Sequence, residues 1–328
     1  ALMGAPEMEV RTAGLAVLLA HSLEAPPAEL QSIISDAKID SLTRAAALRL
    51  FASQNAKSQL FTTVLDIALA KESPVELRMA GLEVAFANAP DRALKQAQAI
   101  LNKGKLQERQ HALKIMATQA TADALISTAF DDMLSGKLDP GLRLDVQEAA
   151  AARAASVPAL AEKISAYEAA RLTPAGTTLI TDLSAGGDAT LGKAIVSEHL
   201  GANCIACHTV ETAEGSAVGP PLWTIGAQKD IPYLLEALLT PQAVVAPGFG
   251  MVSVTTKAGA SVAGVIDHED STLLAVRAAD GKVTEIKKSD IASQTPPISV
   301  MPPMLGILTK HEIRDVVAYN EKRKKAPK

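Results

Sequence analysis

The 328 residues carry a net charge of -4, and 48 % of them are hydrophobic but only 3 % aromatic, with alanine abundant. That length allows about two domains with buried cores, and the composition favours closely packed helices over a β-sandwich. The mild acidity excludes an electrostatic nucleic-acid binder, and no apolar run approaches the roughly 20 residues that span a bilayer.

From the start to residue 171 an internal repeat is visible. Arg11, Arg44, Arg78, Arg109 and Arg143 recur every 31 to 34 residues. Leu15, Leu48, Leu82 and Leu113 follow the first four of these by four places, and further apolar residues come three and four positions later. This is helical spacing. Second apolar segments over 60–70, 93–101 and 122–134 make each unit a helix pair, which buries its stripe only by stacking on neighbours. The strings around Arg11, Arg44 and Arg78 resemble the second helix of HEAT repeats, which implies an N-terminal α-solenoid over 1–171. The fifth unit, with Gln147 in place of the leucine, is expected to be a terminal cap. Such an array either presents a partner-binding face or spaces its neighbours.

Residues 172–188, with Pro174, Gly176, Gly186 and Gly187, read as a linker. A second domain then runs from 189 to 328. It opens with a helix over 189–200, followed by Cys204-Ile205-Ala206-Cys207-His208. C-x-x-C-H is the spacing of covalent haem attachment: two thiols one turn apart reach the two vinyl groups of one haem, and the adjacent imidazole reaches its iron. These are the only two cysteines. A redox disulfide would be expected after a strand rather than a helix. A zinc site would need a fourth ligand, and no second such motif supplies it. Haem attachment implies an oxidising, extracytoplasmic compartment, so a leader has been removed or the chain is a piece of a longer polypeptide.

Further on, Gly219-Pro220-Pro221-Leu222-Trp223 follows a glycine-bearing loop. The Pro220 carbonyl is a candidate acceptor for the His208 Nδ1 proton, and Leu222 and Trp223 are candidates for packing on a porphyrin. A helix over 231–239 ends at Pro241. The period then changes to alternation, and turn signals at 257–260, 268–271 and 279–282 predict about four antiparallel strands between 248 and 288. An irregular loop over 293–303 precedes a closing helix, 309–322, with Thr309 and Glu312 as a capping box. Met301 on that loop is the leading candidate for a sixth iron ligand; Met304 stays open, and Met251, inside a strand, is less suited. His199, His268 and His311 could in principle make a bis-histidine site, but His199 is too near the attachment point and the others read as surface. Lys322, Arg323, Lys324, Lys325 and Lys328 read as a solvated, frayed tail.

Gly192-Lys193, the C-x-x-C-H string, Gly219-Pro220-Pro221-Leu222, the stretch from Val244 to Phe249, and Ser299-Val300-Met301-Pro302 together resemble the PVC-type haem-binding domain, a class I cytochrome c variant with a β-insert. The resemblance covers about 185–325. It implies one haem c, with His208 and Met301 as axial ligands, acting in electron transfer outside the cytoplasm. Relatives of this kind are often joined through HEAT-like repeats to a dehydrogenase that oxidises sugars or alcohols. The expected partners are therefore an upstream dehydrogenase, fused or separate, and a downstream carrier. Ile195 and Val196 stand where an aromatic residue is usual in the first helix, which leaves its crossing with Tyr319 open. No catalytic base, nucleophile or second metal set stands out. Two further readings are a haem enzyme or gas sensor with a labile sixth ligand, and a helical scaffold with an accessory haem.

Overall fold

The computed structural model describes residues 5–171, 181–210, 218–278 and 281–325. The chain is mainly helical, with one small antiparallel sheet, and it divides into two compact units, Ala1–Leu179 and Ile180–Lys328. No helix among the described residues is long and apolar enough to cross a membrane.

In the first unit the helices are α1 (Met8–Ala20), α2 (Pro27–Ser35), α3 (Ser41–Asn55), α4 (Leu60–Leu69), α5 (Val75–Asn88), α6 (Pro90–Lys103), α7 (Leu106–Met116), α8 (Asp123–Leu134), α9 (Arg143–Ala154) and α10 (Pro158–Ala170). The helix α3 packs on α1, α2 and α5, and α5 on α3, α4, α6 and α7, so each helix is covered by sequence neighbours. The four recurring leucines, Leu15, Leu48, Leu82 and Leu113, are fully buried in one continuous core. Burying each such side chain is worth about 2 kcal/mol relative to leaving it exposed.

The recurring arginines have a use that their spacing alone does not reveal. Arg11 binds Asp40 at 2.8 Å, Arg109 binds Asp139 at 3.0 Å, and Arg78 pairs with Glu108. Asp40 caps α3 by accepting from Thr43 N–H, Asp139 caps the turn leading into α9, and Glu108 accepts from Lys105 N–H at the start of α7. Each of these arginines therefore ties its own helix to the acid that begins a helix one repeat on. Arg44 departs from the pattern and donates to the Ile34 carbonyl instead, at 2.9 Å.

Part of the expected linker, 172–180, lies outside the described residues. The rest is not a free connector: Leu183 is fully buried and Asp182 nearly so. In the second unit α11 (Ala189–Glu198) is capped by Asp188, α12 (Ile225–Gln228) is a single turn, and α13 (Ile231–Leu239) is capped by Asp230 accepting from Tyr233 N–H. The last helix, α14 (Lys310–Glu321), carries the Thr309–Glu312 capping box.

The helices α11 and α14 touch at the backbone. A Cβ on Gly192 would fall 2.0 Å from the Asp315 carbonyl oxygen and 2.9 Å from Tyr319 Cβ. A glycine, rather than an aromatic partner for Tyr319, sets this crossing, while Val196 is buried.

The sheet has five strands rather than about four: β1 (Met251–Thr256), β2 (Ser261–Glu269), β3 (Leu273–Arg277), β4 (Val283–Lys287) and β5 (Ile291–Gln294), in the order β4-β3-β2-β1-β5. The fifth strand takes in residues expected to begin the loop, and extends the insert past 288 by pairing antiparallel with β1. Val252, Val254, Leu274, Val276 and Ile286 form one apolar face. The tail differs from expectation at one residue, Arg323; Lys322, Lys324 and Lys325 are exposed, and Lys328 lies outside the described residues. Arg323 donates to the Val210 carbonyl and lies 5.2 Å from the Tyr319 ring centroid, so this one side chain is held against the second unit's helices.

Candidate functional site

The turn that bears the two cysteines is built from the end of α11. His199 leaves the helix, its Nδ1 accepts from Ala202 N–H at 3.0 Å, and its Nε2 lies 3.9 Å from a Glu312 carboxylate oxygen. Asn203 then adopts a left-handed conformation, φ 39°, which an asparagine tolerates better than most residues. One helical turn follows, closed by His208 N–H donating to Cys204 O at 2.9 Å. Three- and four-residue separations on such a turn bring side chains to one face. Cys204, Cys207 and His208 accordingly line a single cavity.

That cavity is a cleft open to solvent on one side. Its wall is mostly apolar: Val196 from α11, Leu234 and Leu238 from α13, Val244, Phe249 and Val316 contribute. A concave, largely apolar cleft with a few convergent polar groups is the usual form of a cofactor site. Pro220 and Leu222 line it; Trp223 is half-buried and not part of the wall. Met301 and Met304 both line it, Met301 half-buried and Met304 buried, whereas Met251 sits 36 % exposed on β1. His268 is exposed beside Asp267, and His311 Nδ1 lies 2.9 Å from an Arg314 nitrogen, so neither histidine belongs to the cleft.

His208 Nδ1 is 2.7 Å from the Pro220 carbonyl. A carbonyl only accepts, so Nδ1 carries the proton and Nε2 keeps its lone pair. Burial lowers the pKa of His208 below that of an ordinary histidine, although the Pro220 hydrogen bond pulls the other way. The ring lies close against Gly219, where a Cβ would come 2.6 Å from its Cε1. Both cysteines are free thiols, and burial pushes the Cys204 thiol up.

Among the described residues no three His, Cys, Asp or Glu side chains gather to hold a metal ion by themselves. Asn320 lines the same cleft; it is 6 % exposed, and its Oδ1 is buried with no hydrogen-bond partner. The sequence reading passed over it. Its signal was a polar residue four places after Val316, on the buried face of α14. These features fit a mostly apolar group held by two thiols and one imidazole.

The protein-family models that were searched contain no match to this chain, and no curated protein matches it either.

Proposed function

We propose that the second unit is a class I c-type cytochrome of the PVC-type, with the five-stranded sheet as its insert, and that it carries electrons one at a time. The observation that carries this reading is one apolar cleft lined by both cysteines, His208 and Met301, with His208 turned so that Nδ1 is bound to Pro220 and Nε2 is left as a ligand. A haem bound there supplies a ferrous/ferric couple tuned by its axial ligands. Cys204 and Cys207 would hold it through thioether links to its two vinyl groups.

The remaining roles belong to the chain. His208 offers Nε2 to iron, and the Pro220 carbonyl holds the ring and raises its basicity. Met301 supplies a thioether, which favours the ferrous state. The apolar wall keeps water from the iron. The first unit is, on the same proposal, a HEAT-like α-solenoid that either presents a partner-binding face or serves as a spacer. The donor is a sugar- or alcohol-oxidising dehydrogenase, fused or separate, the acceptor is a second carrier, and the compartment is extracytoplasmic.

The test is the intact mass of the protein made in a host competent for haem attachment. The expected result is the chain plus one haem, lost in Cys204→Ala/Cys207→Ala. A chain of bare mass with both thiols titratable would overturn the proposal.

A further inference from the structure

Met301 sits on a segment, 299–304, that belongs to no helix or strand and contains Pro302 and Pro303. A loop without a ladder of its own is placed only by bonds to its surroundings. Those bonds are specific. The Gln242 carboxamide takes both backbone groups of Ser299: Nε2 donates to Ser299 O at 2.7 Å, and Oε1 accepts from Ser299 N–H at 2.9 Å. Ser299 Oγ in turn accepts from Met301 N–H at 3.1 Å. A carboxamide presents one donor and one acceptor edge, which matches the peptide groups of a single residue as a neighbouring strand would.

The far side of the segment is fixed by Met304 N–H donating to Leu238 O at 2.7 Å, and the near side by the Met251–Ile298 bridge, with bonds of 2.8 and 2.9 Å. Gln242 and Leu238 lie on α13 and the turn that follows it, and Leu238 itself lines the cleft. The loop is thus referred to a wall of the site.

We infer that Gln242 is a positioning residue that holds Met301 in place as the sixth ligand by clamping Ser299 to the turn after α13. This rests on the reading of Met301 as the iron ligand. Gln242 touches no reacting atom; it acts by lowering the population of states in which the loop has swung away. Replacing it removes two hydrogen bonds while leaving the buried wall intact.

The experiment uses the full chain with its attached haem, and compares wild type, Gln242→Ala, Ser299→Ala, Met301→Ala and the double variant Gln242→Ala/Met301→Ala. Carbon monoxide binding to the ferrous form reports the open fraction, the midpoint potential reports methionine ligation, and thermal unfolding reports the fold. The expected result is about a tenfold faster carbon monoxide association in Gln242→Ala than in wild type, with a lowered potential and a little-changed unfolding midpoint. Ser299→Ala, which keeps the clamp but loses the bond to Met301, falls between. The double variant matches Met301→Ala, because the clamp has nothing left to hold. If Met301→Ala opens the site while Gln242→Ala behaves as wild type, the clamp has no such role. If Met301→Ala itself leaves gas binding and potential unchanged, the ligation reading falls and the inference falls with it.

Discussion

Gly219 and His208 show how closely the site is built around one side chain. The imidazole has its Nδ1 on Pro220 and its ring edge against the Gly219 backbone, so a methyl group there, 2.6 Å from Cε1, displaces the ring rather than the backbone. Gly219→Ala is therefore expected to fold with an unchanged unfolding midpoint while losing the Nδ1 bond, read as a less basic proximal ligand and a higher midpoint potential. An unaltered potential would mean that the ring is not held as described. That Cys204, Cys207 and His208 share one cleft could be read from the sequence, because it depends only on spacing within one turn. Gln242 could not, since its partner is 57 residues away and it is exposed. Trp223, expected with Leu222 to pack on a porphyrin, is half-buried and lies outside the wall that Leu222 joins.

At the level of elements, three of the arginines that repeat every 31 to 34 residues, Arg11, Arg78 and Arg109, tie successive helices through their caps. The Arg78–Glu108 pair is the most buried of these, with side chains 15 % and 9 % exposed, whereas Arg49–Glu83 is 39 % and 36 % exposed. Removing Arg78 leaves a carboxylate short of partners, so Arg78→Ala is expected to cost about 3 kcal/mol, and Arg49→Ala under about 1 kcal/mol, in urea unfolding. Equal losses would contradict the account. Burial alone would push Glu108 up, but the Arg78 side chain and the Lys105 N–H hold it below the usual carboxylate range. Its contribution is thus full above the unfolded-state pKa and fades as the pH falls through the folded one. The helix pairs were legible because their apolar period extends over ten residues or more. The fifth strand was not: Ile291-Ala292-Ser293-Gln294 is short and mostly exposed, and it is defined only by its pairing with β1. The crossing of α11 and α14 was likewise unreadable, because what permits it is the absence of a side chain at Gly192.

Across the whole molecule the two units each have their own buried clusters, one running through the first unit's helices and one under the sheet. Residues 180–328 expressed alone are expected to fold and, on the proposed function, to keep the reduced spectrum of the full chain. A fragment that unfolds or changes its spectrum would show that the site depends on the helical array. The central claim is that a haem held by His208 is closed by Met301, which makes the protein an electron carrier. It is tested most directly by the visible spectrum of the reduced full chain, wild type beside Met301→Ala, with carbon monoxide added to each. The account predicts a low-spin wild type that resists the gas and a variant that binds it at once. A wild type that binds carbon monoxide as readily as the variant would contradict it, and would assign the site to gas or peroxide chemistry instead.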